Sequence, residues 1–152
     1  MELALTYEPN GTDHSDLVLR LGDREYRCDS YYLLLDNALL PGQEDEAKVR
    51  AVLRRLLEQW AVAVEGLRAR DVVYLPFDFS DQCTCWLAVE RIDDASVSIT
   101  PGWSLVEGWT FMPSEIGSHL RQLPDFKPDE EALRMDRAEV TAAIRSSIDR
   151  AS

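Results

Sequence analysis

Hydrophobic and polar residues alternate in the first part of the chain, which is the pattern of strands with one buried face. Residues 3–7 and 17–21 each follow this period of two, and Asn10 and Gly11 between them form a turn signal. The next run, residues 31–35, is aromatic and apolar throughout, which fits either a buried strand or an irregular connection. We therefore expect a small antiparallel meander at the N-terminus.

The spacing of apolar residues changes to three and four between residues 44 and 68, which predicts a long amphipathic helix. Three acidic residues, 44–46, stand at its start, where negative charge stabilises a helix N-terminus. We interpret its polar face, which carries Lys48 and three arginines, as a solvated surface or a partner for the protein's own acidic strands. The apolar face consists of Val49, Val52, Leu53, Leu56, Leu57, Trp60, Val64 and Leu67.

The period of two returns after this helix, and the C-terminal part then becomes helical again. A helix start at Pro113 and a capping box at Asp136 and Glu139 predict two short helices. The predicted strands are residues 72–79, 83–92, 97–100 and a fourth segment within 102–111, and the predicted helices reach residues 123 and 148.

These elements predict an α+β fold. We expect an antiparallel sheet of about six strands, with the long amphipathic helix packed on one face and two shorter helices at the C-terminal end. With 152 residues, of which 45% are hydrophobic, the chain has the size of one domain, so residues 1–152 are expected to form a single globular domain.

The charge distribution limits the classes of molecule that the protein is expected to bind. The formal net charge is −12, although residues 47–70 contain six Lys and Arg against two Glu, a net charge of +4. Nucleic-acid binding depends on cations that neutralise phosphates, so we expect no nucleic-acid partner. The negative electrostatic potential of such a protein would attract a basic protein instead. Because we see neither a basic and apolar leader nor an apolar run of about 20 residues, we expect a cytoplasmic protein without a membrane partner.

The cysteines and histidines form no recognisable catalytic or metal motif. Cys83 and Cys85 lie on one face of a predicted strand, whereas Cys28, His14 and His119 are scattered singly. In the cytoplasm the three thiols are expected to be reduced. We therefore predict no catalytic residue, no metal site and no cofactor, and a role without catalysis is favoured.

Acidic and aromatic residues between positions 74 and 111 are the candidate functional residues. Aromatic side chains are common anchors at protein interfaces, and nearby acids attract a basic partner. A capping or turn-forming role is the alternative for Asp78 and Asp81, and burial in the core is the alternative for each aromatic ring. The predicted partner-binding residues are Asp78, Asp81, Glu107, Trp103 and Trp109.

These features lead to one main hypothesis and two alternatives. The main hypothesis is an acidic protein-binding domain without catalysis, for example a bacterial immunity protein or inhibitor that neutralises a cytoplasmic toxin. One alternative is a small enzyme or ligand-binding domain with an aromatic and acidic pocket. The other is an oligomeric structural or adaptor subunit, which would expose a hydrophobic patch.

Overall fold

The computed structural model describes residues 2–152 and shows two antiparallel sheets together with three α-helices. The predicted α+β class is therefore confirmed. The first sheet has the order β1-β2-β3, with β1 at Leu3–Tyr7, β2 at Leu17–Leu21 and β3 at Arg24–Cys28. The strands of the second sheet are β4 at Val72–Phe79, β5 at Thr84–Arg91, β6 at Ser96–Ser104, β7 at Lys127–Pro128 and β8 at Leu133–Asp136.

The strand arrangement differs from the prediction of about six strands in one sheet. The described part of the chain has eight strands in two sheets, and β6 pairs with β5 on one side and with both β7 and β8 on the other. Strands β7 and β8 have two and four residues. Such short segments show no measurable alternation in the sequence, because they are defined only by their pairing with β6.

The long helix and the last helix begin within about two residues of their predicted starts. Helix α2 spans Glu46–Glu65, and the side chain of Asp45 accepts a 3.0 Å hydrogen bond from the Lys48 amide. Helix α3 spans Arg137–Ala151, and Asp136 accepts from the next helical amides at 2.8 and 3.3 Å. Helix α2 packs against α3, and Trp60 Nε1 of α2 donates to the Pro76 carbonyl of β4 at 3.2 Å.

Three local predictions were wrong. Residues Tyr31–Leu34 form a short helix, α1, instead of a strand or an irregular connection. Strand β6 ends at Ser104, so residues 105–110 form a loop instead of a strand. The predicted helix up to residue 123 is reduced to a 3₁₀ turn at Gly117–Leu120. In each segment, contacts with distant parts of the chain override the local pattern.

The buried apolar residues form one continuous cluster that draws on both sheets, α2 and α3. Five of the 13 aromatic residues belong to it: Trp60, Phe77, Phe79, Trp86 and Phe111 are all buried. The core therefore takes up much of the aromatic set from which the sequence suggested binding anchors.

No helix within residues 2–152 is long and apolar enough to cross a membrane.

Lys48 is fully buried, which contradicts its predicted place on the solvated face of α2. Its ammonium group donates to the main-chain carbonyls of Asp36 and Leu40. The carboxylate of Asp36 is also buried and accepts from the amides of Ala38, Leu39 and Ser114. These bonds tie the segment after α1 to α2 and to the chain near residue 114, and they satisfy polar groups that would otherwise be buried alone.

Replacing Lys48 with Met should destabilise the protein by about 1 to 3 kcal/mol, because the two carbonyl groups would remain buried without donors. Chemical denaturation of Lys48→Met and of the exposed control Arg54→Met measures the difference. The control should change the free energy of unfolding by less than about 0.5 kcal/mol. Equal stability of the two variants would show that the buried ammonium group does not hold this segment.

Candidate functional site

The position of α1 is set by a buried carboxylate that joins it to the loop after β1. Asp16 is fully buried and accepts from both the amide and the hydroxyl of Ser30, at 2.9 and 2.7 Å. The Tyr31 amide donates to the Asp13 carbonyl at 3.1 Å. Because Asp36 and Lys48 hold the other end of the segment, α1 is fixed at both ends.

Acidic side chains from separate parts of the chain lie around α1. The imidazole of His14 lies 3.3 Å from the carboxylates of both Asp13 and Asp29, and its ring stacks on Tyr31 with the centroids 6.5 Å apart. A groove of about 590 Å³ next to α1 is lined by Asp13 and by the acidic residues Glu44, Asp45 and Glu46 at the start of α2.

The turn between β4 and β5 brings Asp81 to the same end of the molecule. Partial burial and the nearby carboxylates of Asp81 and Asp29 raise the pKa of Tyr32 in α1, so both acids lie near this side chain. Asp81 itself is exposed in the turn, as predicted.

The loop of residues 105–110 packs directly on this turn. The Gly108 amide donates to the Ser80 carbonyl at 2.9 Å, and a Cβ atom at position 108 would lie only 2.6 Å from that oxygen. Only glycine therefore allows the loop to approach so closely. Next to it, Trp109 is 61% exposed, and its Nε1 donates to Glu107 at 3.1 Å.

We call this region the acidic surface and define it by its acids and by two aromatic residues, Tyr31 and Trp109. Asp13 and Asp29 each have the His14 imidazole as a neighbour at 3.3 Å. The other four acids have no ion-pair partner among residues 2–152. The acids are Asp13, Asp29, Glu44, Asp45, Asp81 and Glu107.

Two further predicted residues lie on a row that crosses four strands beside the acidic surface. Asp78 of β4 is paired in register with Cys85 of β5, Cys85 with Trp103 of β6, and Trp103 with Lys127 of β7. Directly paired residues of antiparallel strands project to the same face of a sheet. A carboxylate, a thiol, an indole and an ammonium group therefore lie side by side, and the Lys127 ammonium is 5.3 Å from the centre of the Trp103 ring.

Burial changes the protonation of the groups on this row. Burial, and next the Asp29 carboxylate, raise the pKa of Asp78. Burial and the neighbouring Asp78 raise the pKa of Cys85 to about 12, and the same two causes raise the pKa of Cys28. Because these two thiols stay protonated near neutral pH, neither is set up as a nucleophile.

The structure thus brings all five predicted partner-binding residues to one end of the five-stranded sheet, where they differ in their exposure to solvent. Asp81, Glu107 and Trp109 lie on exposed turns, whereas Asp78 and Trp103 are half-buried on strands. Sequence reasoning missed Asp29, Tyr31 and Cys28, because no spacing in the chain connects β3 and α1 with the second sheet. In the part of the chain that the structure describes, no group of three or more His, Cys, Asp and Glu side chains is placed to hold a metal ion.

Replacing Asp78 with Asn should stabilise the protein at neutral pH. Folding raises the pKa of this carboxyl. The protonated carboxyl therefore contributes to the stability of the folded state below the ordinary pKa of Asp, about 3.9, and this contribution is lost as the pH rises through the raised value. The melting temperature of Asp78→Asn should exceed that of the wild type at about pH 7, and the difference should vanish at about pH 3. The exposed control Asp71→Asn should show no such pH-dependent difference. A gain from Asp78→Asn of the same size at both pH values would contradict this account.

No protein-family model matches the chain, and searches of curated proteins and of solved structures find no match.

Proposed function

We propose that this protein is a binding domain without catalysis, and that its acidic surface holds a basic protein. The observation that carries the proposal is the convergence of acids around α1. Residues 13, 29, 44–45, 81 and 107 come from five segments that are far apart in sequence, and most of these acids have no compensating cation. Like charges held together cost free energy in the unbound protein, and a cationic partner would relieve that cost.

The exposed aromatic residues support the same function. Trp109 is 61% exposed and Tyr31 is 40% exposed, and both lie within the acidic surface. Buried Trp and Tyr residues at the centre of an interface commonly supply most of the binding energy, and surrounding charges raise the association rate. Trp109 is the proposed anchor, and the carboxylates are the proposed steering groups.

A bacterial immunity protein or another inhibitor of a cytoplasmic toxin is the biological form that we propose. Toxins that act on nucleic acids carry basic surfaces for phosphates. A rigid display of carboxylates can occupy such a surface in place of the phosphates. This role would place the protein in the cytoplasm together with its target.

The alternative of a small enzyme or ligand-binding domain has weaker support. Asp78 with its raised pKa lines a cleft together with Cys28 and Cys85, which is a feature of some active sites. The cleft has a volume of only about 140 Å³, whereas pockets for small-molecule ligands usually have about 300 to 1,000 Å³. The adaptor alternative would use a groove between α2 and the 3₁₀ turn, where Val62 is 68% exposed.

A comparative pull-down tests the proposed function. The wild type and the triple variant Asp81→Asn, Glu107→Gln, Trp109→Ala are immobilised and exposed to a lysate of the source organism at low salt. The wild type should retain a basic protein that salt elutes, and the variant should recover at least about tenfold less of it, equivalent to about 1.4 kcal/mol of binding free energy.

A matched variant at the opposite end of the β4–β5 pair controls for charge and apolar area. This variant carries Asp71→Asn, Glu90→Gln and Ile92→Ala. It removes an equal number of negative charges and one exposed apolar side chain. This control should recover as much of the basic protein as the wild type does. Equal recovery by the two triple variants, or the absence of any basic protein, would contradict the proposal.

A further inference from the structure

The outer edge of β3 presents main-chain groups that pair with no other strand. In an antiparallel sheet, residues that bond to one neighbouring strand alternate with residues that bond to the other. The Gly22 amide donates to the Glu2 carbonyl at 2.7 Å, so the even-numbered residues of β2 face β1 and the odd-numbered ones face β3. By the register of β2 with β3, the main chain of Glu25 and Arg27 then points away from the sheet, and no backbone hydrogen bond reaches it in the described chain.

The edges at β1 and β4 are protected in ways that β3 lacks. Helix α3 covers β1, and the Ser147 hydroxyl accepts a 3.2 Å hydrogen bond from the Leu5 amide at that edge. Strand β4 contains Pro76, where its register shifts and where its carbonyl accepts from Trp60. Strand β3 is regular and has no proline. A regular, uncovered edge strand is a template for pairing with another strand.

The side chains at this edge carry opposite charges at alternate positions. Glu25 is 46% exposed and Arg27 is 48% exposed, and their charged groups lie 3.2 Å apart along the strand. Arg27 also donates to the Ser15 carbonyl, and Glu25 lies 3.5 Å from Arg20. The residues whose main chain is free to pair are therefore one acid and one base.

This alternation makes the edge complementary to itself. When two copies of β3 pair antiparallel about a two-fold axis at Tyr26, Glu25 of each copy lies directly opposite Arg27 of the other. An axis at Glu25 or at Arg27 would instead place two like charges opposite each other. Opposite charges directly across a strand pair stabilise it and like charges destabilise it, so the charges select the register centred on Tyr26.

We propose that β3 pairs antiparallel with β3 of a second copy of this chain, which joins the two three-stranded sheets into one sheet across a two-fold dimer. Each Glu25 and the Arg27 opposite it exchange both of their main-chain hydrogen bonds. The inference goes beyond the proposed function and does not depend on it. Because the contact is short, the dimer is weak and depends on protein concentration.

Sedimentation equilibrium at physiological ionic strength, where the repulsion between two acidic copies is screened beyond about 8 Å, tests the dimer. The wild type should pass from monomer towards dimer between micromolar and millimolar concentration. Arg27→Glu and Glu25→Arg each place like charges opposite each other, so each should weaken dimerisation by at least about tenfold. An equimolar mixture of these two variants should recover the dimer, because every acid again faces a base.

A matched control and a second readout accompany this measurement. Asp71→Arg changes the net charge as Glu25→Arg does, at an exposed position outside β3, and should dimerise as the wild type does. In NMR spectra of the ¹⁵N-labelled wild type, rising protein concentration should shift the amide signals of Glu25 and Arg27 most. This readout does not depend on the folding of any variant.

Three results would overturn the inference. They are a wild type that stays monomeric up to millimolar concentration, a single variant that dimerises as tightly as the wild type, and a mixture of two folded variants that stays monomeric. A monomeric wild type would leave the pull-down of a basic protein valid, since the acidic surface is present in each copy. A failed pull-down with a concentration-dependent dimer would count against the proposed function alone.

Discussion

The arrangement of this protein depends on three buried charged side chains that hold one short segment of chain. Asp16 fixes the start of α1 through Ser30, and Asp36 and Lys48 fix the residues that follow it. Helix α1 has only four residues, and a helix of that length is not stable alone. Its position therefore comes from these tertiary hydrogen bonds, which are strong because the groups are shielded from water.

The acidic surface follows from this constraint. Helix α1 contacts the loop after β1, and acids of that loop, of the end of β3 and of the β4–β5 turn lie near it. If these acids were buried in the core, their neutral forms would be favoured at a cost in free energy. If they were spread over the whole surface, their mutual repulsion would be weaker. Their concentration at one end, beside the exposed Trp109, is the property that the proposed function explains.

The sequence predicts the fold class and the two long helices, but the strand arrangement and the functional geometry only in part. Apolar spacing with the acidic residues 44–46 predicts α2, and the capping box at Asp136 predicts α3, because these signals are local. The same signals cannot show that Lys48 is buried, since its partners are main-chain carbonyls of another segment. The row through Asp78 and Trp103 likewise depends on strand register, which forms only when β4 to β7 pair.

Hydrogen exchange of the protein with and without the captured basic protein tests the central claim most directly. The account predicts slower exchange in the partner's presence at residues 29–37, 80–83 and 105–110, the segments that form or support the acidic surface. Protection confined to the groove around Val62 of α2, or to α3, would contradict it. Such a result would place the binding surface on a different part of the fold and leave the convergence of acids around α1 without a function.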